Sequence, residues 1–373
     1  MTEPDHVAIG TWSGGRFMRF GEPIDEDRLA ALLRPGDGIQ TVLTADVYGE
    51  GEADRLLARA LDGLERNTYF VAGAVGHDFY EGERQGAKGF PRFTQTRTDH
   101  LGYLRMATER SLERCGLDSF DVLLLHNPDR QGYTSETVWE GMRALRDEGL
   151  ARAIGVAPGP ANGFTLDLIT CFERFGEAID WAMIILNPLE PWPGEMCLPA
   201  ALEADVRLIT RVVDYGGLFH DDVLPGHQFP KHDHRSFRPA GWVEEGREKL
   251  QRMRHVGAAH GLTPLQLASQ WNLAHEPVEC VVPTLIQEPG DAAKPIEEKR
   301  AELAAVPRDI RLSPDEVATV ASIGNNKGCM KLKGGVPDHH GPELPDRWEL
   351  TAELAQAAGR WGIEPEKDLV PTH

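Results

Sequence analysis

The sequence has no long hydrophobic run: nowhere does it contain the roughly 18 consecutive apolar residues that a membrane-spanning helix needs. Its first residues, MTEPDHVAIG, also lack the basic segment followed by an apolar segment that is typical of a secretory signal. Neither membrane insertion nor secretion is therefore predicted, and the expected location is the cytoplasm.

Cysteine is scarce. The five cysteines, at positions 115, 171, 197, 280 and 329, are odd in number and never form a C-x-x-C pair. Small disulfide-rich domains and structural zinc sites need paired or regularly spaced cysteines, so neither is predicted. The thiols are expected to be reduced.

Positive charge is also in deficit, because 39 Lys and Arg residues face 59 Asp and Glu residues and give a net charge of −20. Proteins that bind nucleic acids or lie on anionic membranes usually present a basic surface, so neither partner is expected. The hydrophobic share of 41% is ordinary for a globular protein. A small molecule is the expected partner, and the sequence leaves the oligomeric state open.

Short apolar segments that resemble strands alternate with amphipathic segments of helical spacing along the chain. This alternation is typical of repeated βα units and a parallel sheet. The candidate strands are residues 7–11, 41–47, 69–75, 121–126, 151–156, 182–187, 207–213 and 279–283. The helices between them include residues 54–61, 103–115, 135–148, 165–175 and 265–274. Eight such units predict an α/β fold, a (β/α)8 TIM barrel.

Two segments interrupt this alternation. Residues 216–242, rich in His, Pro, Gly and Asp, are predicted to form a long loop after strand 7 at the barrel mouth. The second segment is a C-terminal extension of residues 326–373, which is predicted to pack on the barrel of residues 1–325. This extension either has a role in the chemistry or only covers the surface. The long loop contains His220, His227, His232 and His234, but their spacing matches no zinc motif, so no metal site is predicted.

Four blocks of sequence resemble signatures of the aldo-keto reductase superfamily. They are Gly10-Thr11-Trp12, residues 44–49 (TADVYG), residues 121–128 (DVLLLHNP) and residues 261–268 (GLTPLQLA). The blocks keep the order of the family between residues of about 7 and 325. The resemblance implies a barrel of the aldo-keto reductase type.

The resemblance also implies a catalytic set: a tyrosine that protonates the substrate carbonyl, a histidine that orients it, and an Asp–Lys pair that lowers the pKa of the tyrosine. Tyr48 and His126 match the first two, whereas Leu43 and Ala74 stand where the Asp and the Lys are expected. Losing both charges together is physically consistent, because a buried charge left without its partner would cost about 3–5 kcal/mol. The chain is therefore predicted to be a divergent member.

Several expected ligands of the nicotinamide cofactor are replaced as well. The positions expected to bind its carboxamide or ring hold Ala157, Pro158, Met183 and Arg211, and the phosphate block after strand 8 reads PTLIQ, with Lys294, Lys299 or Arg300 as alternative cations. NADP(H) or NAD(H) remains an option by resemblance only, and the cofactor is not determined. The predicted cofactor contacts are Gly10, Thr11 and Gly217.

Residues at the C-terminal ends of barrel strands face the active site of such folds. We therefore expect Tyr48 and His126 to be catalytic, with a set of substrate-binding residues around them: Trp12, His77, Asn187, Glu190, Arg211 and Asp214. Arg211 is suited to a carboxylate or a phosphate, which would make the substrate anionic. The structural alternatives are a core role for His126 and an ion pair between Arg211 and Asp214.

The sequence supports three hypotheses for function. The first is redox-neutral acid–base chemistry on a small carbonyl or sugar-like compound, as in an isomerase, epimerase, lyase or dehydratase, with Tyr48 and His126 exchanging protons. The second is an oxidoreductase that uses NAD(P)H with altered cofactor contacts. The third is a non-catalytic binding relative.

Overall fold

The computed structural model describes residues 3–85, 89–159, 164–231, 233–238, 240–291, 293–327 and 350–369. His232 of the long loop and residues 328–349 and 370–373 of the predicted extension lie outside the described residues. All eight predicted strand segments lie within them.

Eight parallel strands form one sheet whose strand order follows the chain. The strands are β1 (Ala8–Gly10), β2 (Thr41–Leu43), β3 (Phe70–Val75), β4 (Phe120–His126), β5 (Ala151–Ala157), β6 (Trp181–Ile185), β7 (Arg207–Arg211) and β8 (Val278–Val282). A parallel bridge between Val7 and Val281 joins the first strand region to the last. The predicted (β/α)8 barrel is thus confirmed, although β2 is shorter than expected because the chain turns into a short 3-10 helix at Tyr48–Gly51.

Helices surround the barrel. They are α1 (Glu26–Leu33), α2 (Glu52–Leu61), α3 (Phe93–Thr96), α4 (His100–Cys115), α5 (Arg130–Thr134), α6 (Glu136–Asp147), α7 (Thr165–Phe175), α8 (Leu198–Glu203), α9 (Trp242–Ala259), α10 (Pro264–Leu273), α11 (Ile296–Ala304), α12 (Pro314–Gly324), α13 (Ala352–Arg360) and α14 (Pro365–Asp368). The start of α10 is explained by local chemistry, since Thr263 and Gln266 form a reciprocal capping box with Pro264 at the first helical position. None of the described helices is both long and apolar enough to cross a membrane.

The apolar core has two parts. The larger part lies between the outer faces of the strands and the helices. The smaller part fills the barrel, and its side chains come from alternate strand residues: Ala8, Trp12, Leu43, Ala45, Phe70, Ala72, Ala74, Val122, Leu124, Ala157, Trp181, Met183, Ile209, Cys280 and Val282. The same alternation directs the side chains of His126 and Arg211 toward the interior at the C-terminal ends of β4 and β7.

The predicted long loop joins β7 to α9 and is fixed by buried charges. The Arg235 guanidinium is fully buried and pairs with Asp233 at 2.8 Å and with Glu288 after β8. Asp233 also accepts a hydrogen bond of 2.7 Å from the backbone N–H of Gly21, which lies between β1 and α1. The loop after β7 is therefore tied to the loops after β1 and β8.

The described part of the C-terminal extension packs on the barrel. Helix α13 lies against α7, and Arg360 forms an ion pair with Glu173 of α7. Near the end, the carbonyl of Asp368 accepts a 2.6 Å hydrogen bond from the indole N–H of Trp192, in the segment after β6. The division into two domains at residue 325 remains a prediction.

A close approach of backbones at β5 yields a test of the barrel. A Cβ atom added to Gly155 would lie 2.0 Å from the Trp181 carbonyl oxygen of β6. We expect Gly155→Ala to lower the free energy of unfolding by about 2 kcal/mol or more, because β5 and β6 must separate.

The matched control is Gly359→Ala in α13, where an added Cβ would meet no atom within 4 Å. This variant should gain up to about 1 kcal/mol, because alanine favours a helix interior over glycine. Urea unfolding measures both changes, and a Gly155→Ala variant as stable as the wild type would contradict the described strand contact.

Candidate active site

Four aromatic side chains form a row at the C-terminal end of the barrel. The ring centroids are 6.3 Å apart for Trp12 and Tyr48, 5.6 Å for Tyr48 and His126, and 5.2 Å for His126 and His77, with edge-on geometry at each contact. These residues come from the ends of four strands, β1 to β4. The structure thus brings these four residues together, and their catalytic and substrate-binding roles remain predictions.

Tyr48 begins the short 3-10 helix after β2 and lies against the interior cluster. Its hydroxyl forms no hydrogen bond with the described residues, so it is available to a ligand. Burial raises the pKa of the Tyr48 phenol, while the Arg211 guanidinium acts in the opposite direction and lowers that pKa. The phenol is protonated at neutral pH and can donate a hydrogen bond to a carbonyl oxygen.

His126 is the last residue of β4 and is 5% exposed. Burial holds its pKa well below the usual 6.5, and the positive charges of Arg92 and Arg211 act in the same direction. The imidazole is therefore neutral at physiological pH. Its Nδ1 atom is buried without a hydrogen-bond partner among the described residues, which is unusual for a residue with only a core role.

His77 contacts three residues that the sequence did not indicate, Asn127, Phe90 and Arg92. The Asn127 amide nitrogen donates to His77 Nε2 at 3.0 Å, so the neutral ring carries its proton on Nδ1, which donates to the Phe90 carbonyl at 3.2 Å. Burial, followed by the Arg92 charge, lowers the His77 pKa to about 3. Asn127 directly follows His126 and has a positive φ of 48°. No local sequence pattern predicts its contact with His77, which lies 50 positions earlier in the chain.

Arg211 ends β7 and carries a positive charge toward this row of rings. Its Nη2 group donates to the carbonyl oxygen of Pro158 at 3.0 Å and to that of Gly159. Burial lowers the pKa of Arg211, and its charge lowers the pKa of both Tyr48 and His126. The guanidinium is thus the cation that acts on the candidate proton donor.

The alternative of an Arg211–Asp214 ion pair is not what the structure has. Asp214 is fully buried, lies 3.3 Å from His220 Nε2 and accepts a 3.0 Å hydrogen bond from the backbone N–H of Thr284. It therefore ties the loop after β7 to the residues after β8. Its predicted contact with substrate remains a prediction.

Leu43 and Ala74 stand in the interior cluster below Tyr48. They are 1% and 4% exposed, and their neighbours in the cluster are apolar. Neither of these positions, in β2 and β3, carries a charged side chain. The cation near Tyr48 comes instead from the opposite side of the barrel, at the end of β7.

The predicted residues after β6 lie beside the end of β7. The Asn187 amide nitrogen donates to the Val212 carbonyl at 3.0 Å and lies 3.3 Å from Glu190 Oε2. Glu190 is 1% exposed, and its Oε1 atom has no hydrogen-bond partner among the described residues. Its negative charge raises the pKa of Arg211 from a distance beyond direct pairing.

The three predicted cofactor residues are engaged locally. A Cβ on Gly10 would lie 2.4 Å from the Trp12 indole, so glycine leaves room for that ring inside the barrel. The Thr11 hydroxyl lies 3.4 Å from that of Thr44. The Gly217 backbone N–H donates to the Asp214 carbonyl at 3.0 Å. Their cofactor role remains a prediction.

The described residues do not fit a nicotinamide nucleotide in the expected way. Its carboxamide would meet Ala157, Pro158 and Met183, and the Arg211 guanidinium lies against the end of β5. The candidate phosphate cations are engaged: Lys294 with Glu302 at 3.0 Å, Lys299 with Asp222 at 2.6 Å, and Arg300 with backbone carbonyls. A nucleotide would need other contacts. Within the described residues, no three His, Cys, Asp or Glu side chains form a metal-binding group.

The site can therefore stabilise an oxygen atom that gains negative charge. Two neutral donors, the half-buried Tyr48 and the buried His126, lie within the electrostatic reach of the permanent cation of Arg211. Preorganised donors and charges of this kind are most effective where water is excluded. The arrangement suits proton transfer to or from a carbonyl or hydroxyl oxygen.

Comparisons with known proteins identify the family of this chain. The model of the aldo/keto reductase family matches residues 6–324. An aldo-keto reductase from Mycolicibacterium smegmatis is 34% identical over 149 residues, which are 38% of this chain and only 50% of that relative. A probable β subunit of a voltage-gated potassium channel from Arabidopsis thaliana is 21% identical over 74% of this chain and 83% of its own.

Solved structures share the fold. Glycerol dehydrogenase from Gluconobacter oxydans has a TM-score of 0.66 and 23% identity, and the match covers 90% of this chain and 94% of that one. The holo form of an aldo-keto reductase from Bacillus halodurans has a TM-score of 0.61 and 21% identity over 86% and 92% of the two chains. A Klebsiella pneumoniae aldo/keto reductase in complex with NADP and acetate has a TM-score of 0.56 and 22% identity over 86% and 91%.

The buried neutral state of His77 predicts a loss of stability in acid. Its pKa is about 3 in the folded chain against a usual 6.5, so the unfolded chain binds more protons between these pH values. The stabilisation is present above pH 6.5 and is lost as the pH falls toward 3. The stability advantage of wild type over His77→Asn should shrink by up to about 1.4 kcal/mol per pH unit.

Urea unfolding between about pH 7 and pH 4 measures this difference. His255→Asn, which removes an exposed histidine of α9, is the matched control and should keep the pH dependence of the wild type. Parallel curves for wild type and His77→Asn would mean that His77 is not buried in its neutral form.

Proposed function

Because this chain belongs to the aldo/keto reductase family, we propose that it is an NAD(P)H-dependent oxidoreductase with altered cofactor contacts, which interconverts a carbonyl and a hydroxyl group in a small molecule. The observation that carries this proposal is the contact of neutral Tyr48 with neutral His126, 5.6 Å between ring centroids, under the positive potential of Arg211. The family acts on small carbonyl compounds, and this pair is placed to act on a carbonyl oxygen.

In this proposal, the nicotinamide nucleotide would supply the hydride to the carbonyl carbon in reduction and accept it in oxidation. Tyr48 transfers its phenolic proton to the substrate oxygen in the direction of reduction and takes it back in the direction of oxidation. His126 donates a hydrogen bond that orients the same oxygen. Arg211 stabilises the phenolate of Tyr48 while the proton is away, because a positive charge favours the anionic form. Arg211 thus takes the part for which the resemblance led us to expect a lysine at position 74.

The similar proteins support the proposal of an oxidoreductase that depends on a nucleotide. One solved structure of the same fold is a glycerol dehydrogenase, and another was obtained with NADP. The poor match between the nucleotide and the residues around Arg211 and Gly217 is the reason for proposing altered contacts rather than those that the resemblance implies.

A second candidate is the redox-neutral acid–base enzyme. The observation that favours it is the position of Arg211, whose Nη2 group is bound to the carbonyls of Pro158 and Gly159 at the place expected for the cofactor. Tyr48 and His126 would then still transfer protons, while Arg211 would occupy the place expected for the cofactor. The third hypothesis, a non-catalytic relative, would be favoured by Tyr48 and His126 turned away from a common cavity, whereas their rings are in contact.

Removing the phenolic hydroxyl tests the role of Tyr48. We expect Tyr48→Phe to lower kcat at least about 100-fold, since general-acid catalysis typically contributes this much. The measurement uses the best substrate found in a panel of aldoses, ketoses, simple ketones and their alcohols.

Tyr69→Phe is the matched control, because Tyr69 lies at the other end of the barrel, just before β3 and beside Arg66. It should keep the activity of the wild type. A Tyr48→Phe variant with undiminished activity would remove Tyr48 from the mechanism.

A fluorescence titration with NADPH and NADH separates the two enzyme hypotheses. The oxidoreductase should bind at least one of them and should turn over substrate only when that nucleotide is present. No binding at millimolar concentration, together with turnover in the absence of nucleotide, would contradict the oxidoreductase and support the redox-neutral enzyme.

A further inference from the structure

The charge of Arg211 is incompletely compensated inside the protein. Arg211 is half-buried at the end of β7 and its Nε atom is fully buried, yet no carboxylate among the described residues forms an ion pair with it. Burial of an unpaired charge costs several kcal/mol. The buried carboxylate of Glu190 acts on Arg211 through its electrostatic potential alone.

Two fully buried cations of the described residues have direct partners. Arg235 is paired with Asp233 at 2.8 Å, and Lys299 is paired with Asp222 at 2.6 Å. In a chain with a net charge of −20, carboxylates are plentiful. The lack of a paired carboxylate at Arg211, among the residues that the structure describes, is therefore a local property of the barrel mouth.

Backbone carbonyls do not account for all of the donors of Arg211. Arg300 illustrates how carbonyls alone can hold an arginine: its Nε and Nη2 groups both donate, to the carbonyls of residues 32, 34 and 36. Arg211 uses only Nη2 in this way, and its Nε atom is buried without a partner among the described residues. The two carbonyls fix the guanidinium and leave donors for another acceptor.

The surroundings of Arg211 also favour an anion. His126 and His77 are neutral, and Arg92, beside His77, adds a second positive charge that acts on His126 together with that of Arg211. The carbonyl-binding pair Tyr48 and His126 lies within electrostatic reach of Arg211. An acidic group bound to Arg211 would thus belong to a molecule whose carbonyl or hydroxyl oxygen lies at Tyr48.

We propose that Arg211 binds an oxyanion of the substrate, a carboxylate or a phosphate, and that the enzyme therefore acts on acidic carbonyl or hydroxy compounds. A guanidinium presents several N–H donors in one plane and suits both groups. The position of the reacting oxygen rests on the proposed function, whereas the binding of the anion itself does not.

Calorimetric titration of the full chain with malonate and with inorganic phosphate, at constant ionic strength and neutral pH, tests the binding step. The wild type should bind at least one probe: malonate if the substrate is a carboxylate, phosphate if it is a phosphate ester. Arg211→Gln should weaken that binding roughly tenfold or more, as expected for the loss of a charge-assisted hydrogen bond.

Arg207→Gln is the matched control. Arg207 begins the same strand and lies over the Trp181 ring at 4.2 Å, at the opposite end of the barrel. Its variant should bind the probes as the wild type does. Equal losses in both variants would indicate a general effect of charge and overturn the proposal. Undiminished binding by Arg211→Gln would overturn it too, as would the absence of binding to the wild type at millimolar concentration.

Arg211→Lys keeps the positive charge and serves if Arg211→Gln does not fold. It should bind the probe more weakly than the wild type, because a lysine cannot reproduce the planar donor set. Binding by this variant as tight as that of the wild type would overturn the assignment of the guanidinium donors.

Kinetics then separate this proposal from the proposed function. With matched substrates such as gluconate and glucose, or their keto derivatives, Arg211→Gln should lower the ratio of kcat/KM for the acidic substrate to that for the neutral one. If Tyr48-dependent turnover persists and this ratio does not change, the anion proposal is wrong and the oxidoreductase stands. If the probes bind through Arg211 but no Tyr48-dependent turnover exists, the proposed function is wrong and the anion site stands.

Discussion

A charge that is withdrawn from water must be compensated, and this constraint decides which side chains can stand at the mouth of the barrel. Leu43 and Ala74 satisfy it by being apolar. His126 and His77 satisfy it by being neutral, since burial lowers the pKa of both. Arg211 satisfies it only in part, through two backbone carbonyls, and is therefore the group at which an external anion would be most stabilised.

The same constraint shapes the loops that enclose the site. Arg235 is buried in the long loop after β7 only because Asp233 and Glu288 surround it, and this pairing joins the loops after β1, β7 and β8. Asp214 connects the residues after β7 and β8 in a similar way, through Thr284. Charges that fix loops and charges that face a ligand are thus distinguished by whether a partner of opposite sign is already in contact.

Local sequence patterns predicted the elements well where the local chemistry is strong. The helix at residues 165–175 has the expected bounds, and α10 begins within one residue of its expected start. The contact of Tyr48 with His126 was predictable from the general rule that strand ends of a barrel meet. The hydrogen bond from Gly217 to the Asp214 carbonyl was not predictable. A glycine turn has the same sequence whether its N–H groups face a ligand or the protein.

The sequence by itself determined the eight βα units, and with them the barrel, because apolar periodicity and helix caps act over a few neighbouring residues. It also determined which ionisable groups reach the strand ends. Only the tertiary structure decided how those groups are compensated: Asn127 and the Phe90 carbonyl bind His77, and Arg211 reaches Pro158 and Gly159 rather than a carboxylate. These contacts join residues far apart in the chain, so their energies depend on the closed barrel that brings them together.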